Sequence, residues 1–381
     1  MMKRVGIIGY GNRMKDLVSS LLKTKQAEII AVADINIEQA RKNAEANGVV
    51  DCKFYSSAEE MLEKETLDGV CIGTRCSLHT HYALMVAKKK IPMFLEKPVC
   101  INYEDLNRLK EILYWNDKTV VSFPLRLTDV VEHVKEIIDS GKIGEVAHVQ
   151  AYNNVPYARG YYQKWYRDDA ETGGLFLQKA THDLDYINYV LGEVKPTVVC
   201  AMKSKQVFKG DKPAGFKCRD CDERKTCMDS PENVKRYFPD AVLGEYCCFA
   251  KDTGNEDSGS VIVRYDNDMH VVYSQNFIVR AGAGKRGARF IGHLGTVEFD
   301  FVSGIVTVYH HMKRITETHT FDAAGSAHFG GDDALMRNFV GVMLGEEKSN
   351  SPLEDGILSA EMCLAAKLSS ETDRFVPISS M

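Results

Sequence analysis

Two short stretches of this chain hold residue types that could move a proton. The first is Phe94-Leu95-Glu96-Lys97-Pro98, in which an apolar run over 91–95 is cut by Pro98. Glu96 and Lys97 therefore fall where a buried strand ends, and in open α/β sheets ligands gather at the carboxyl ends of strands. A lysine there is a candidate base, provided its pKa is held down from about 10.4, a change on the order of 4 kcal/mol for neutrality near pH 7. The second stretch is a helical pattern over 174–191. Residues three and four apart share a helix face, so Gln178, His182 and Asp185 line one side, with Lys179 at its margin. Imidazole titrates near neutrality and suits acid–base work. The amide of Gln178 can orient a group but takes up no proton.

The elements that must position these residues come first in the chain. A buried strand over 3–8 runs into Gly9-Tyr10-Gly11-Asn12-Arg13-Met14, ahead of an amphipathic stretch over 16–22. Glycines at Gly9 and Gly11 let a backbone turn tightly beside a pyrophosphate, while a helix start at Asn12 and Arg13 offers N–H donors. Met14 stands where close helix-to-strand packing favours Gly or Ala. A second strand over 28–33 ends in Asp34, where an acid accepts hydrogen bonds from adenosine ribose hydroxyls and repels a 2′-phosphate. That pattern expects NAD rather than NADP. Strands and helices then alternate to residue 123 with no hairpin signal, which predicts a doubly wound parallel sheet.

Beyond residue 124 the pattern changes. The stretch 153–167 is crowded with aromatic and basic residues, and Tyr157, Tyr162, Trp165 and Arg167 there suit sugar rings, which offer apolar faces and hydroxyl edges. His328, with Gly330-Gly331-Asp332, is a further candidate substrate contact. From 198 to 310 strands and turns dominate, with a hairpin signal at Asp266-Asn267-Asp268, so a largely antiparallel open sheet is expected. An insertion at about 205–250 carries Cys218, Cys221, Cys227 and the pair Cys247-Cys248. Its small apolar content predicts a mobile loop unless stapled. Cys218, Cys221, Cys227 and Cys248 could supply four thiolates to a structural zinc; an iron–sulfur cluster or free thiols are the alternatives.

The glycine turn, Asp34, the segment Thr74-Arg75-Cys76-Ser77-Leu78-His79 and Glu96-Lys97-Pro98, in that order, resemble the Gfo/Idh/MocA oxidoreductases, the family of glucose-fructose oxidoreductase and inositol dehydrogenase. Arg75 and Cys76 replace the family's usual Pro-Asn, and Gln178 stands where many members carry an acid. The resemblance implies an N-terminal Rossmann domain (1–124) and a C-terminal α+β domain (125–381) whose open sheet makes a homodimer or homotetramer. It implies that Thr74, Arg75, His79 and Glu96 face the cofactor, and that Lys97, His182, Gln178, Lys179 and Asp185 act on a substrate. The implied reaction is NAD(P)-dependent hydride transfer from a ring hydroxyl of a sugar, glycoside or cyclitol. A redox-neutral glycosidase or lyase with tightly held NAD needs the same residues, and a non-catalytic NAD-binding regulator is a third reading.

The whole composition agrees with an enzyme of two ordinary domains. The chain has 381 residues, 44% hydrophobic and 27% charged, with a formal net charge of -5. That balance gives no positive field for nucleic acid. No run reaches the length of a membrane span and no signal peptide is expected. Eleven cysteines, an odd count, suit reduced thiols and a cytoplasmic protein.

Overall fold

The structure is a computed structural model and describes residues 2–322 and 327–379. It divides into two compact units: one of 1–132, 184–190 and 324–361, the other of 133–183, 191–323 and 362–381. Among the described residues no helix is long and apolar enough to cross a membrane.

The first unit is built on six strands: β1 (Lys3–Ile8), β2 (Ala27–Ala33), β3 (Lys53–Tyr55), β4 (Gly69–Ile72), β5 (Met93–Leu95) and β6 (Thr119–Val121). Their order is β3-β2-β1-β4-β5-β6 and all pairings are parallel. Consecutive buried residues in β1 and β4 mark strands covered on both faces, as parallel sheets require. The helix α1 (Asn12–Lys23) turns Met14, Leu17, Val18 and Leu21 inward. Asn36 and Ser57 cap the next two helices by accepting the backbone N–H groups of Gln39 and Glu60. The order reverses between β1 and β4, which makes the carboxyl ends there the place where a ligand crevice forms.

The helix Gly331–Leu344 also belongs to this unit, although the sequence reads everything after residue 124 as the second domain. Its Leu335, Met336, Phe339 and Val340 share one core with Val5, Ile7, Phe94 and Val120. Burying that apolar face against the parallel sheet is what recruits the segment.

The second unit holds β7 (Val146–Asn154), β8 (Pro196–Ser204), β9 (Ser258–Tyr265), β10 (His270–Asn276), β11 (Lys285–Gly292), β12 (Gly295–Asp300), β13 (Ile305–His310), β14 (Thr316–Thr320) and β15 (Val376–Pro377). They form one nine-stranded sheet in the order β14-β13-β12-β11-β7-β10-β9-β8-β15. Only β7 and β10 run parallel. Strict alternation in β9 buries Val261 and Val263 and exposes Ile262, as a sheet covered on one face demands.

Candidate functional site

The glycine turn sits at the end of β1. Gly9 has φ +83, and a Cβ there would lie 2.8 Å from the Thr74 backbone nitrogen, so only glycine fits. A Cβ on Gly11 would meet nothing within 4 Å. Gly11 caps α1 without any side-chain hydrogen bond, so the first-turn N–H groups, beginning at the exposed Asn12, remain for an anion. Asp34 accepts the Tyr10 and Asn36 backbone N–H groups at 2.7 Å each and so holds this turn beside the end of β2. These residues fit a dinucleotide: an open approach over Gly11, a helix start, and an acid at the next strand end.

Lys97 follows β5 at the same edge of the sheet and is partly buried. Its backbone N–H donates to Glu96 Oε2 at 3.2 Å. Glu96 Oε1 accepts Arg13 Nε at 3.0 Å and the Ser122 hydroxyl at 2.9 Å. Arg13 thus neutralises the one carboxylate next to Lys97 in sequence. Arg13 also clasps Asp332 through two bonds of 2.7 and 2.6 Å. Its guanidinium is therefore engaged with the protein, and what Arg13 can offer a cofactor is its backbone N–H in the first turn of α1. The His79 ring is buried, with Nδ1 2.7 Å from the Pro98 carbonyl and Nε2 3.3 Å from that of Thr74. Burial lowers its pKa. The ring, with its shorter bond to Pro98, braces the loop after β5 against the one after β4. Arg75 is exposed and Thr74 partly so.

His328 donates to Asp332 at 3.0 Å, and both His328 and Phe329 hold left-handed backbone, at φ +49 and +54. Burial works against the Asp332 charge, but hydrogen bonds from Arg13 and His328 hold its carboxyl well below the ordinary range. In the sequence Asp332 stands out only as part of the segment that carries His328; its pairing with Arg13, 319 positions away, has no local signal.

In the second unit Gly173 and Gly174, at φ +75 and +97, lead into a π-turn over Phe176–Ala180, followed by the helix Thr181–Leu191. The wider turn breaks the regular three-and-four spacing. Gln178, Lys179 and His182 are all buried. Lys179 Nζ donates to the Tyr157 hydroxyl at 3.0 Å and lies 4.8 Å from the centroids of both Tyr157 and Tyr161. Asp183, passed over in the sequence, accepts Asn153 and Tyr273 at 2.9 Å each and Arg286 at 2.7 Å. The repeated acids in His182-Asp183-Leu184-Asp185 were its only signal.

Asp185, expected on the His182 face, belongs instead to the first unit, where Arg126 takes both its carboxylate oxygens. Tyr162 is a second correction: it is wholly buried against Phe208, with its hydroxyl donated to the Glu256 carbonyl at 2.7 Å. Arg167 is likewise structural, donating to Asp252 at 2.9 Å and lying over the Tyr246 ring. Trp165 stacks on Tyr166 with centroids 3.9 Å apart and keeps partial exposure.

The zinc expectation fails. Among the described residues no group of three or more His, Cys, Asp or Glu side chains is placed to hold a metal ion. Cys248 is drawn into the apolar cluster of Tyr162 and Phe208, whereas the free thiol of Cys218 hydrogen-bonds to the Cys247 sulfur and approaches the Tyr246 carbonyl at 3.5 Å. Cys221 is buried and Cys227 partly so, but the four sulfurs do not form one shell. Ion pairs fasten the insertion instead: Arg159 and Arg280 meet Asp229 at 2.8 and 2.9 Å.

Residues 3–123 match the model of the oxidoreductase family with an NAD-binding Rossmann fold, and residues 131–298 match the GFO/IDH/MocA C-terminal domain. The chain belongs to the Gfo/Idh/MocA oxidoreductase family. Among curated relatives, the myo-inositol 2-dehydrogenase of Thermotoga maritima is 27% identical over 193 residues, 50% of this chain and 55% of that protein. The rhizopine catabolism protein MocA of Rhizobium meliloti is 25% identical over 210 residues, 54% of this chain and 62% of that one. The matches thus span little more than half of these relatives. A levoglucosan dehydrogenase solved with NADH and levoglucosan shares the fold, with a TM-score of 0.79 at 17% identity over the full length of both chains.

Proposed function

We propose that this protein is an NAD-dependent dehydrogenase that oxidises a ring hydroxyl of a sugar, glycoside or cyclitol to a ketone. The observation that carries this is the shared strand edge of the first unit. There Gly9 and Gly11 after β1, Asp34 after β2 and Lys97 after β5 end parallel strands of one sheet. Asp34 would accept the adenosine ribose hydroxyls and repel a 2′-phosphate, which favours NAD over NADP. NAD, when bound, supplies the hydride acceptor.

Lys97 accepts the proton of the hydroxyl as the C–H bond gives up its hydride. Arg13 supports this by neutralising Glu96, whose free charge would keep an adjacent ammonium protonated. In the second unit His182 is the acid–base partner and Gln178 the orienting amide. The partly exposed Trp165 and the exposed Tyr157 offer faces to a sugar ring. His328, held by Asp332, offers a further hydrogen bond to hydroxyls. The open face of the nine-stranded sheet, with Met202 and Ile262 exposed, is the surface for a homodimer or homotetramer. Reduced thiols throughout suit a cytoplasmic enzyme.

The test is NADH formation with myo-inositol, D-glucose and methyl β-D-glucoside, in wild type and in Lys97→Met. Wild type should reduce NAD with at least one of these, and the variant should lose that activity while still binding NAD in a fluorescence titration. Turnover at the wild-type rate in Lys97→Met would discard Lys97 as the base.

A further inference from the structure

Lys179 carries a buried charge with an unusual set of partners. Its side chain is 7% exposed, and the groups around Nζ are the phenols of Tyr157 and Tyr161. Among the described residues no carboxylate forms an ion pair with it; the nearby Asp183 is already taken by Arg286 at 2.7 Å. A buried cation without an anion is costly, and it stabilises ionisation of whichever acid touches it. The two phenols are not equivalent. Tyr157 is 62% exposed whereas Tyr161 is partly buried. The charge of Lys179 lowers the Tyr157 pKa against the opposing effect of burial, while burial raises that of Tyr161. Arg286 adds to the pull on Tyr157 and Asp183 works against it. Tyr157, with most of its side chain exposed and its hydroxyl seated on Lys179, is therefore the member of this group that lies nearest to solvent.

We propose that Tyr157 is a second proton-transfer residue, whose phenol oxygen, seated on the Lys179 ammonium group, removes the C–H proton beside the ketone of a sugar- or cyclitol-derived ligand. This rests on the dehydrogenase reading, which supplies the ketone. Oxidation of one hydroxyl releases one proton, and Lys97 is assigned to it. An independently activated phenol serves a different step. A ketone acidifies the neighbouring C–H bond, and a phenol whose ionisation is eased by the ammonium group it touches is suited to take up that proton. The proton passes from carbon to the Tyr157 oxygen, and the C–H electron pair moves toward the ketone oxygen to form an enolate. Return of a proton to that carbon exchanges or inverts it. Lys179 stays protonated throughout and acts as a positioning residue.

Two measurements test this without bound NAD. In the first, phenolate absorbance is followed against pH in wild type, Tyr157→Phe, Lys179→Met and Lys179→Arg. The wild-type minus Tyr157→Phe difference should titrate below the ordinary tyrosine value; Lys179→Met should abolish this lowering, and Lys179→Arg should keep it. In the second, deuterium wash-in from heavy water is read by NMR for pentahydroxycyclohexanone, the ketone of myo-inositol, and for the 3-keto derivative of methyl β-D-glucoside. Wild type should accelerate wash-in at the carbon beside the carbonyl, and Tyr157→Phe should slow it on the order of a hundredfold. An ordinary titration of Tyr157, or wash-in that is absent from wild type or unchanged in Tyr157→Phe, overturns the proposal. Failure of NADH formation with the alcohols overturns the dehydrogenase reading instead and leaves the phenol titration standing.

Discussion

Arg13 lies in the first turn of the helix that follows the glycines, yet its guanidinium is anchored on Glu96, Ser122 and Asp332. The residue organises the strand ends: it fixes the carboxylate before Lys97 and draws in the start of the helix Gly331–Leu344. Asp332 makes the closest of these contacts and its side chain is 6% exposed, so solvent screens little of the pairing. Replacing it by Asn leaves the Arg13 charge with Glu96 alone and should cost about 3 kcal/mol at pH 7. Because the folded pKa of Asp332 is depressed, its contribution is full above the unfolded value near 4 and is lost as pH falls through the folded value. Urea unfolding of wild type and Asp332→Asn should therefore differ by a constant amount from pH 7 to about 5, and the gap should begin to close below about 4. An equal gap at pH 3 and pH 7 would mean that shape, not charge, is what the carboxylate supplies.

At the scale of the element, the third position of the glycine turn is the instructive case. Met14 stands where a small residue is expected, and the structure shows how it is accommodated: a Cβ on Gly73 would lie 2.6 Å from Met14 Cε and 3.2 Å from Met14 Cβ. Room for the helix has been moved from α1 to the end of β4. Gly73→Ala should thus cost about 1–3 kcal/mol by overpacking, and less when Met14 is also Ala. A thermal double-mutant cycle should give a coupling of about 1 kcal/mol or more; additive effects would show that the two residues do not share this space. The parallel strands, their helices and Lys97 at a strand end were legible because each rests on local pattern: apolar runs, caps and a proline. The π-turn was not, since Phe176 to Ala180 reads as ordinary helix and no residue type in it marks a wider turn. Gln178 and His182 could thus be named but not aimed. The cysteines misled for a related reason: spacing offers four thiols, while apolar packing took Cys248 elsewhere.

At the scale of the whole molecule, the first unit is assembled from three separate stretches of chain, and Arg126 touches all three. It bonds to Asp185, to Asp355 at 2.6 Å and to the Asn350 carbonyl at 3.2 Å. One cation faces two carboxylates, so the cluster carries an excess negative charge. Burial raises Asp185 to about 7 despite the Arg126 charge, while Asp355, whose side chain is 33% exposed, shares its charge with solvent. Such long-range pairing leaves no local trace in a sequence, which is why Asp185 read as a partner of His182. An acid whose folded pKa is raised takes up a proton on folding. Its contribution is greatest below the unfolded value near 4 and declines as pH rises toward 7. Asp185→Asn keeps an acceptor for Arg126 without the excess charge. It should hold wild-type stability at pH 7 within about 1 kcal/mol and lose the gain on acidification from about pH 7 to 5. Arg126→Met strands the buried Asp185 and leaves the half-buried Asp355 without its partner, and should cost about 3–5 kcal/mol at pH 7, a loss that shrinks as acidification neutralises Asp185. Chemical unfolding of both variants across that range separates the assignments. If Asp185→Asn were as damaging as Arg126→Met at pH 7, the carboxylate charge would itself be needed for the fold, and the excess-charge account would be wrong.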